Sequence, residues 1–470
     1  MSVPVIRTGQ MREWEQATWA TGQTEAEVIR RVGQCVARRA LELTHPNDLI
    51  LLLAGKGHNG DDVRAAQAHL PDRNVELLNV TSPAASLRQL ETILGQNPAL
   101  VVDGLFGIGL NRPLDDDWIA FVTRLNGTHA PVLAVDIPSG LDADTGEPFG
   151  AAVQATLTLT VGAPKQGLLR PSAWPYVGRL EVAAEVGLIP CPHAGELNWT
   201  LPEDFRGYPP ARPVGGHKGS FGHLAILAGS VGFHGAAVLA ARGAQRAQPG
   251  LITVFTHEPA YFQVAIQLQS AMVRPWSSEV RLPGDFSAVL VGPGLAADDV
   301  PTEMRTVVRK LWSDALVPVI ADASALDWLP MGHAPRNAIR VVTPHPGEAA
   351  RLMRATPPRV QENRPNAVRD ISKSFGNSWV VLKGYQSLVG GSTGDVYVNP
   401  SGNPHLAQGG SGDVLAGFIA GLLTQEALQS DPCKTLRYAA WQHGAAADAL
   451  QRQQHNWTME DLAREIGNVS

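Results

Sequence analysis

The chain has 470 residues, of which 44% are hydrophobic and 17% charged, and its net charge is −6. That length allows two or three domains with sizeable cores, and that charge excludes a dedicated nucleic-acid binder, which would carry a basic patch or stripe. Cys35, Cys191 and Cys433 have no C-x-x-C spacing, which excludes a disulfide framework and a zinc ribbon and fits a reducing compartment.

The first residues, MSVPVIRTGQMREWEQ, hold no apolar signal core. No apolar run approaches the ~20 residues that span a membrane. A cytoplasmic protein without membrane or nucleic-acid partners is therefore expected. Residues 10–43 carry a helical pattern with few breakers. LILLLA (49–54) predicts a buried strand ended by Gly55, and 60–70 a helix. VELLNV (75–80), a helix near 84–95, LVVDGLF (100–106), a helix near 115–126 and PVLAVDIP (131–138) follow. ATLTLTV (155–161) and RLEVAAEV (179–186) complete the unit. Strands alternating with helices predict a mostly parallel sheet covered on both faces.

Pro190, Pro192, Pro202, Pro209, Pro210 and Pro213 then break the rhythm and predict a linker, dividing the chain into 1–207 and 208–470. HLAILAG (223–229), LITVFT (251–256), AVLVGPG (288–294), VPVIADA (317–323), IRVVTPH (339–345) and WVVLKG (379–384) predict the strands of a second α/β unit. Residues 411–429 and 432–454 read as helix.

The richest stretch is GNPHLAQGGSGDVLAGFIAG (402–421). Gly409, Gly410 and Gly412 form a turn that runs through Asp413 into an apolar helix. Free N–H groups at a helix start hold phosphate or a developing oxyanion, and a carboxylate beside them suits a general base for a hydroxyl. The segment points to phosphoryl transfer to an alcohol; a plain helix cap by Ser411 or Asp413 is the other reading. Lys383-Gly384 ends a strand, with Ser387 close by, and that lysine suits a phosphate as a point charge. His345 and Glu348 open a helix, His345 as a substrate contact or a loop bond, Glu348 as part of a cap. No G-x-x-x-x-G-K-[ST], HExxH or His/Cys cluster is present.

In the first half, Gly55-Lys56-Gly57-His58-Asn59-Gly60 satisfies G-x-G-x-x-G between a strand and a helix, with Glu76 near the end of the next strand. Asp103 and Ser139 lie at further strand ends. Carboxyl ends of parallel strands share one edge, so Asn59, Asp103 and Ser139 are candidate oxygen ligands for a hard cation; as single residues they read as turn formers.

These segments resemble the bacterial bifunctional NAD(P)H-hydrate repair enzymes. The loop 55–63 is similar to the family's G-x-G-N-N-G-G-D-G, and 103–110 and 135–146 to its D-x-L-F-G-x-G-L and V-D-I-P-S-G-L-D-x-x-T-G. In the second half His217-Lys218-Gly219, GSVGFHGA (229–236), VGPGL (291–295), DASAL (322–326), TPHPGEAARL (343–352), VVLKGYQSLV (380–389) and GGSGDVLAG (409–417) occur in the order of the dehydratase domain. The resemblance implies a Rossmann-like three-layer epimerase domain followed by a ribokinase-like α/β domain, an ADP-dependent dehydratase. It implies potassium on Asn59, Asp103 and Ser139, and magnesium with ADP in the second half. It implies that His58, Asn59, Gly60, Asp61, Asp62, Gly107, Ile108, Gly109, Leu110, Asn111, Arg112 and Pro113 line the site for the hydrated nucleotide, with Asp136 as the catalytic carboxylate. Ala236, Gly294, His345 and the base Asp413 would contact the hydrate in the second half. Lys383, Gly384, Tyr385, Gln386, Ser387 and Gly412 would hold the adenine nucleotide. A homo-oligomer is expected.

Three residues depart from the family loop. His58 replaces an asparagine, while Asp61 and Val63 replace glycines. Asp61 adds a charge that would repel a pyrophosphate, and Val63 predicts strain if its site needs a positive φ. An N-terminal half that only binds nucleotide, beside a small-alcohol kinase of the same ribokinase-like fold, is the alternative reading.

Overall fold

The computed structural model describes residues 2–276, 285–332, 334–335 and 337–469. They form two compact units, Val3–Gly195 and one running from Glu196 onward. Among the described residues no helix is long and apolar enough to cross a membrane.

The first unit is a parallel sheet in the spatial order Asn74–Asn79, Leu49–Ala54, Leu100–Gly104, Val132–Val135, Leu157–Val161, Arg179–Ala183. Side chains alternate across a strand, so Ile50, Leu52 and Ala54 pack with Val28, Val32 and Val36 of the helix Glu25–Leu43. Leu51 and Leu53 pack on the other face with Leu90 of Pro83–Leu94 and Phe121 of Asp116–Asn126. The three layers are those expected. The helical stretch 10–43 is two helices, Thr8–Trp19 and Glu25–Leu43, parted at Gly22, whose φ of +90° suits only glycine.

The second unit has the order Leu197–Trp199, Val396–Val398, Leu388–Gly390, Trp379–Leu382, Arg340–Val342, Val319–Ala321, Ala288–Val291, His223–Leu227, Leu251–His257, Met272–Trp276. From Trp379–Leu382 to Met272–Trp276 it is parallel; Leu388–Gly390 pairs antiparallel with both of its neighbours. The helix Ser411–Leu423 is buried at every position from Val414 onward. It lies so close to the helix His234–Arg246 that a Cβ at Gly417 would strike Ala240 O, and one at Gly243 would strike Val414 O.

The two units divide earlier than the 207/208 boundary that the prolines suggested. Leu197–Trp199 sits inside the proline-rich stretch yet pairs in parallel with Val396–Val398. Met272–Trp276 carries Pro275, which a strand at the sheet edge tolerates, and among the described residues no strand pairs outside it.

Candidate active sites

In the first unit the strand order reverses between Leu49–Ala54 and Leu100–Gly104, the place where open parallel sheets bind ligands. A cleft of about 780 Å³ opens there. Of the residues expected at the hydrate site, His58, Asn59, Asp62, Asp136 and the loop 107–112 line this cleft; Gly60, Asp61 and Pro113 do not. Gly60 is turned inward, because a Cβ there would meet Gly55 O. Asp61 is bound at 2.7 Å by Arg64, which also donates to Gly55 O at 2.6 Å and Asn79 Oδ1 at 2.8 Å. The charge expected to repel a pyrophosphate is therefore paired outside the cleft. Val63 is not strained: it lies within the helix His58–Gln67, is fully buried, and faces Gly104. Glu76 is exposed in mid-strand rather than at its end.

Asp103 and Ser139 are fully buried and do not line the cleft. Asp103 accepts from Ser139 Oγ at 2.6 Å, Ser139 N at 2.8 Å and Leu105 N at 3.2 Å. Burial pushes its carboxyl up to about 6, against these three bonds. Asn59 Nδ2 donates to Phe106 O and Val135 O, and its buried Oδ1 has no donor among the described residues. An orphaned amide oxygen and a buried carboxylate are hard donors of the kind an alkali cation takes.

Asp136 has a φ of +63°, rare for a residue with a side chain. The fully buried Lys165 holds its Oδ1 at 2.5 Å while also donating to Val161 O and Thr160 Oγ1. Thr160 Oγ1 and Val161 N bond the same Oδ1, and Oδ2 faces Gly107. Burial first, then Asp136, push Asp62 well above the usual carboxylate range; burial likewise raises Glu15. Lys165, Glu15 and Arg12 were missed in the sequence. For Lys165 a signal existed: like Lys383, it follows a buried apolar run.

In the second unit the helix Ser411–Leu423 starts at Gly410, φ +97°, with no side-chain cap, so the capping reading of Ser411 and Asp413 fails. Ser411 N donates to Gln408 O. The N–H groups of Gly412 and Asp413 lie in the first turn, where no intrahelical acceptor exists. Among the described residues they have no other acceptor. Beneath this turn His443 is buried and lowered to about 4 by that burial, hence neutral. Its Nε2–H donates to Ser411 O at 3.0 Å.

Lys383 Nζ lies 2.8 Å from Asp322 Oδ1 and 3.8 Å from Glu348 Oε2. A Cβ at Gly412 would come within 3.1 Å of it. Burial works to lower the Lys383 pKa, but Asp322 and Glu348 outweigh it and the net shift is upward. Asp413 is half-buried beside them; burial and Asp322 push it up to about 7, with Lys383 opposing and Glu348 adding. Ala236 and Gly294 also meet: a Cβ at Gly294 would lie 2.9 Å from Ala236 Cβ. His345 turns Nδ1 inward to accept from Gly347 N and Glu348 N, while Glu348 Oε2 accepts from His345 N. Both capping readings are realised, and the ring stays half-exposed. Gln386 is held at φ +52°, and Ser387 Oγ donates to Gly384 O.

The family profile described as NAD(P)H-hydrate dehydratase matches residues 224–468, and that described as YjeF-related protein N-terminus matches residues 77–167. The bifunctional NAD(P)H-hydrate repair enzyme Nnr of Gloeobacter violaceus is 34% identical, over 95% of this chain and 93% of its own. That of Moorella thermoacetica is 32% identical, over 87% and 84%. The crystal structure of the ADP/ATP-dependent NAD(P)H-hydrate dehydratase of Bacillus subtilis, co-crystallised with ATP/Mg2+, is 30% identical. It covers 57% of this chain and 95% of that one, with a TM-score of 0.51. A ribokinase-like superfamily protein of Enterococcus faecalis, 23% identical over 59% and 96% with a TM-score of 0.50, shares the fold.

Proposed function

The chain belongs to the family of bifunctional NAD(P)H-hydrate repair enzymes, and from that premise we propose how its residues carry the two reactions. It is an enzyme acting on NADH or NADPH hydrated at C6 of the nicotinamide ring. The second half dehydrates the S form in an ADP-dependent reaction; the first half interconverts R and S. The small-alcohol kinase is not the reading these relatives support.

In the dehydratase half Asp413 takes the proton of the C6 hydroxyl, and that oxygen attacks the terminal phosphate of ADP, releasing AMP. The N–H groups of Gly412 and Asp413 and the Lys383 ammonium stabilise the charge on the transferring phosphoryl. Phosphate then leaves C6 as C5 loses a proton, which restores the dihydropyridine. The observation that carries this reading is the half-buried Asp413 beside Lys383 at a helix start with two unclaimed N–H groups. A magnesium ion entering with the nucleotide would find oxygen ligands in Asp322 and Glu348; one or two carboxylates plus substrate phosphates are its usual set, and it would neutralise phosphate charge.

In the epimerase half Asp136, tied through Oδ1, offers Oδ2 to the carbinolamine at C6. Potassium would be held by Asn59, Asp103 and Ser139, and the orphaned Asn59 Oδ1 supports this. Three free cysteines support a reducing compartment, which we take to be the cytoplasm.

The separated R and S hydrates, each with and without ADP, test the assignment. Recovery of NADH or NADPH from the S hydrate only with ADP, plus interconversion of R and S above its spontaneous rate with or without ADP, is expected; recovery of the dihydropyridine without ADP contradicts it. The pH dependence follows from Asp413. A base raised to about 7 in the free enzyme is mostly ionised only above that pH, so the dehydration kcat/KM should be level above about pH 8 and fall tenfold per unit below about 7. A profile flat down to about pH 5 would rule out Asp413 as the base.

A further inference from the structure

Arg364 opens the helix Arg364–Ser374 and is only 8% exposed. Its Nη1 donates to Tyr385 O at 2.6 Å, and thereby grips the loop Gly384–Ser387 from behind. Its Nε and Nη2 are buried and have no partner among the described residues. Burial alone accounts for the fall of its pKa to about 10; among the described residues no carboxylate acts on it. Nη2 lies 3.7 Å from where a Cβ of Gly384 would stand, and Gly384 has a φ of +130° and leaves that approach bare. Lys165 and Lys383, also buried, have counter-charges in Asp136 and Asp322, and the buried Arg340 spends all three of its nitrogens on backbone carbonyls.

The Nε–Nη2 edge of a guanidinium is a planar fork that matches two oxygens of a phosphate. A buried cation with no counter-ion and two N–H groups of its fork unpaired is costly, and the cost is lifted if the anion comes with a ligand. On the assignment of Gly384–Ser387 to the adenine nucleotide, we propose that Arg364 binds that nucleotide directly, its free fork taking a phosphate of ADP as the loop adjusts around it. No motif marks this residue in the sequence, since Asn363-Arg364-Pro365 reads as an ordinary helix start.

Calorimetric titration of the full chain with ADP, AMP, adenosine and inorganic phosphate tests this, on wild type, Arg364→Met and Arg364→Lys. In Arg364→Met, ADP and AMP should bind about 10- to 100-fold more weakly, with adenosine unchanged. Arg364→Lys should recover only part of the loss, having a charge but no fork. The ligand-free melting temperature of Arg364→Met should stay within about 3 °C of wild type, because a buried unpaired charge goes with the lost bond to Tyr385 O. Unchanged ADP affinity overturns the proposal. So does an equal loss for ADP and adenosine with a lowered ligand-free melting temperature, which would make Arg364 a prop for the loop. Free phosphate bound as tightly as ADP by wild type also overturns it. Wild type that binds no ADP at all would instead refute the assignment of the second half.

Discussion

Asp413→Asn should cut the dehydration kcat about a thousandfold, within the 10²- to 10⁴-fold typical of a lost general base, while ADP binds as tightly as before or more so. The amide is isosteric, so the helix start keeps its shape and the N–H groups of Gly412 and Asp413 keep their direction. What is lost is the capacity to take a proton. Binding should not suffer, because the substitution removes a carboxylate from the place where phosphates gather, beside Asp322 and Glu348. Single-turnover rates and ADP titrations separate the two effects. A variant that retains a tenth of the wild-type kcat would assign the base to another group.

Lys383→Met should be damaging in two separable ways. Asp322 is 1% exposed, and its Oδ1 accepts from Lys383 Nζ and from Thr343 Oγ1. Removing the ammonium leaves a buried carboxylate with one neutral donor, a change that costs about 3–5 kcal/mol when one partner of a buried pair is deleted. The denaturant midpoint of the second unit should fall accordingly. Adding Asp322→Asn to Lys383→Met removes the stranded charge and should restore most of that stability. Activity should not return, because the cation assigned to the transferring phosphoryl is still missing and Asp322 no longer offers magnesium a carboxylate. If the double variant recovers dehydration as well, the role of Lys383 is structural only.

Much of this was legible because strands and their ends have local signals. Apolar runs such as LILLLA and HLAILAG lie where strands were expected, and the polar residues after them converge at one sheet edge. Two expectations failed on local geometry. Val63 in place of a glycine suggested strain, but the helix begins at His58 and takes position 63 into its interior, where a valine packs beneath Gly104. Ser411 and Asp413 suggested caps, but Gly410 starts the helix without one. Other features have no local signal. Leu197–Trp199 is a strand through its pairing with Val396–Val398, and the hairpin strand Leu388–Gly390 through its contact with Trp379–Leu382. Lys165 meets Asp136, and Arg364 meets Tyr385, across loops that no periodicity describes.

The chemistry of the second half is tested most directly by the fate of the phosphate. The S hydrate is incubated with ADP, and 31P NMR is recorded alongside the dihydropyridine absorbance. Inorganic phosphate and AMP should appear one for one with recovered NADH or NADPH. A phosphoester that accumulates and persists, with no recovered absorbance, would contradict the account and mark the protein as a kinase.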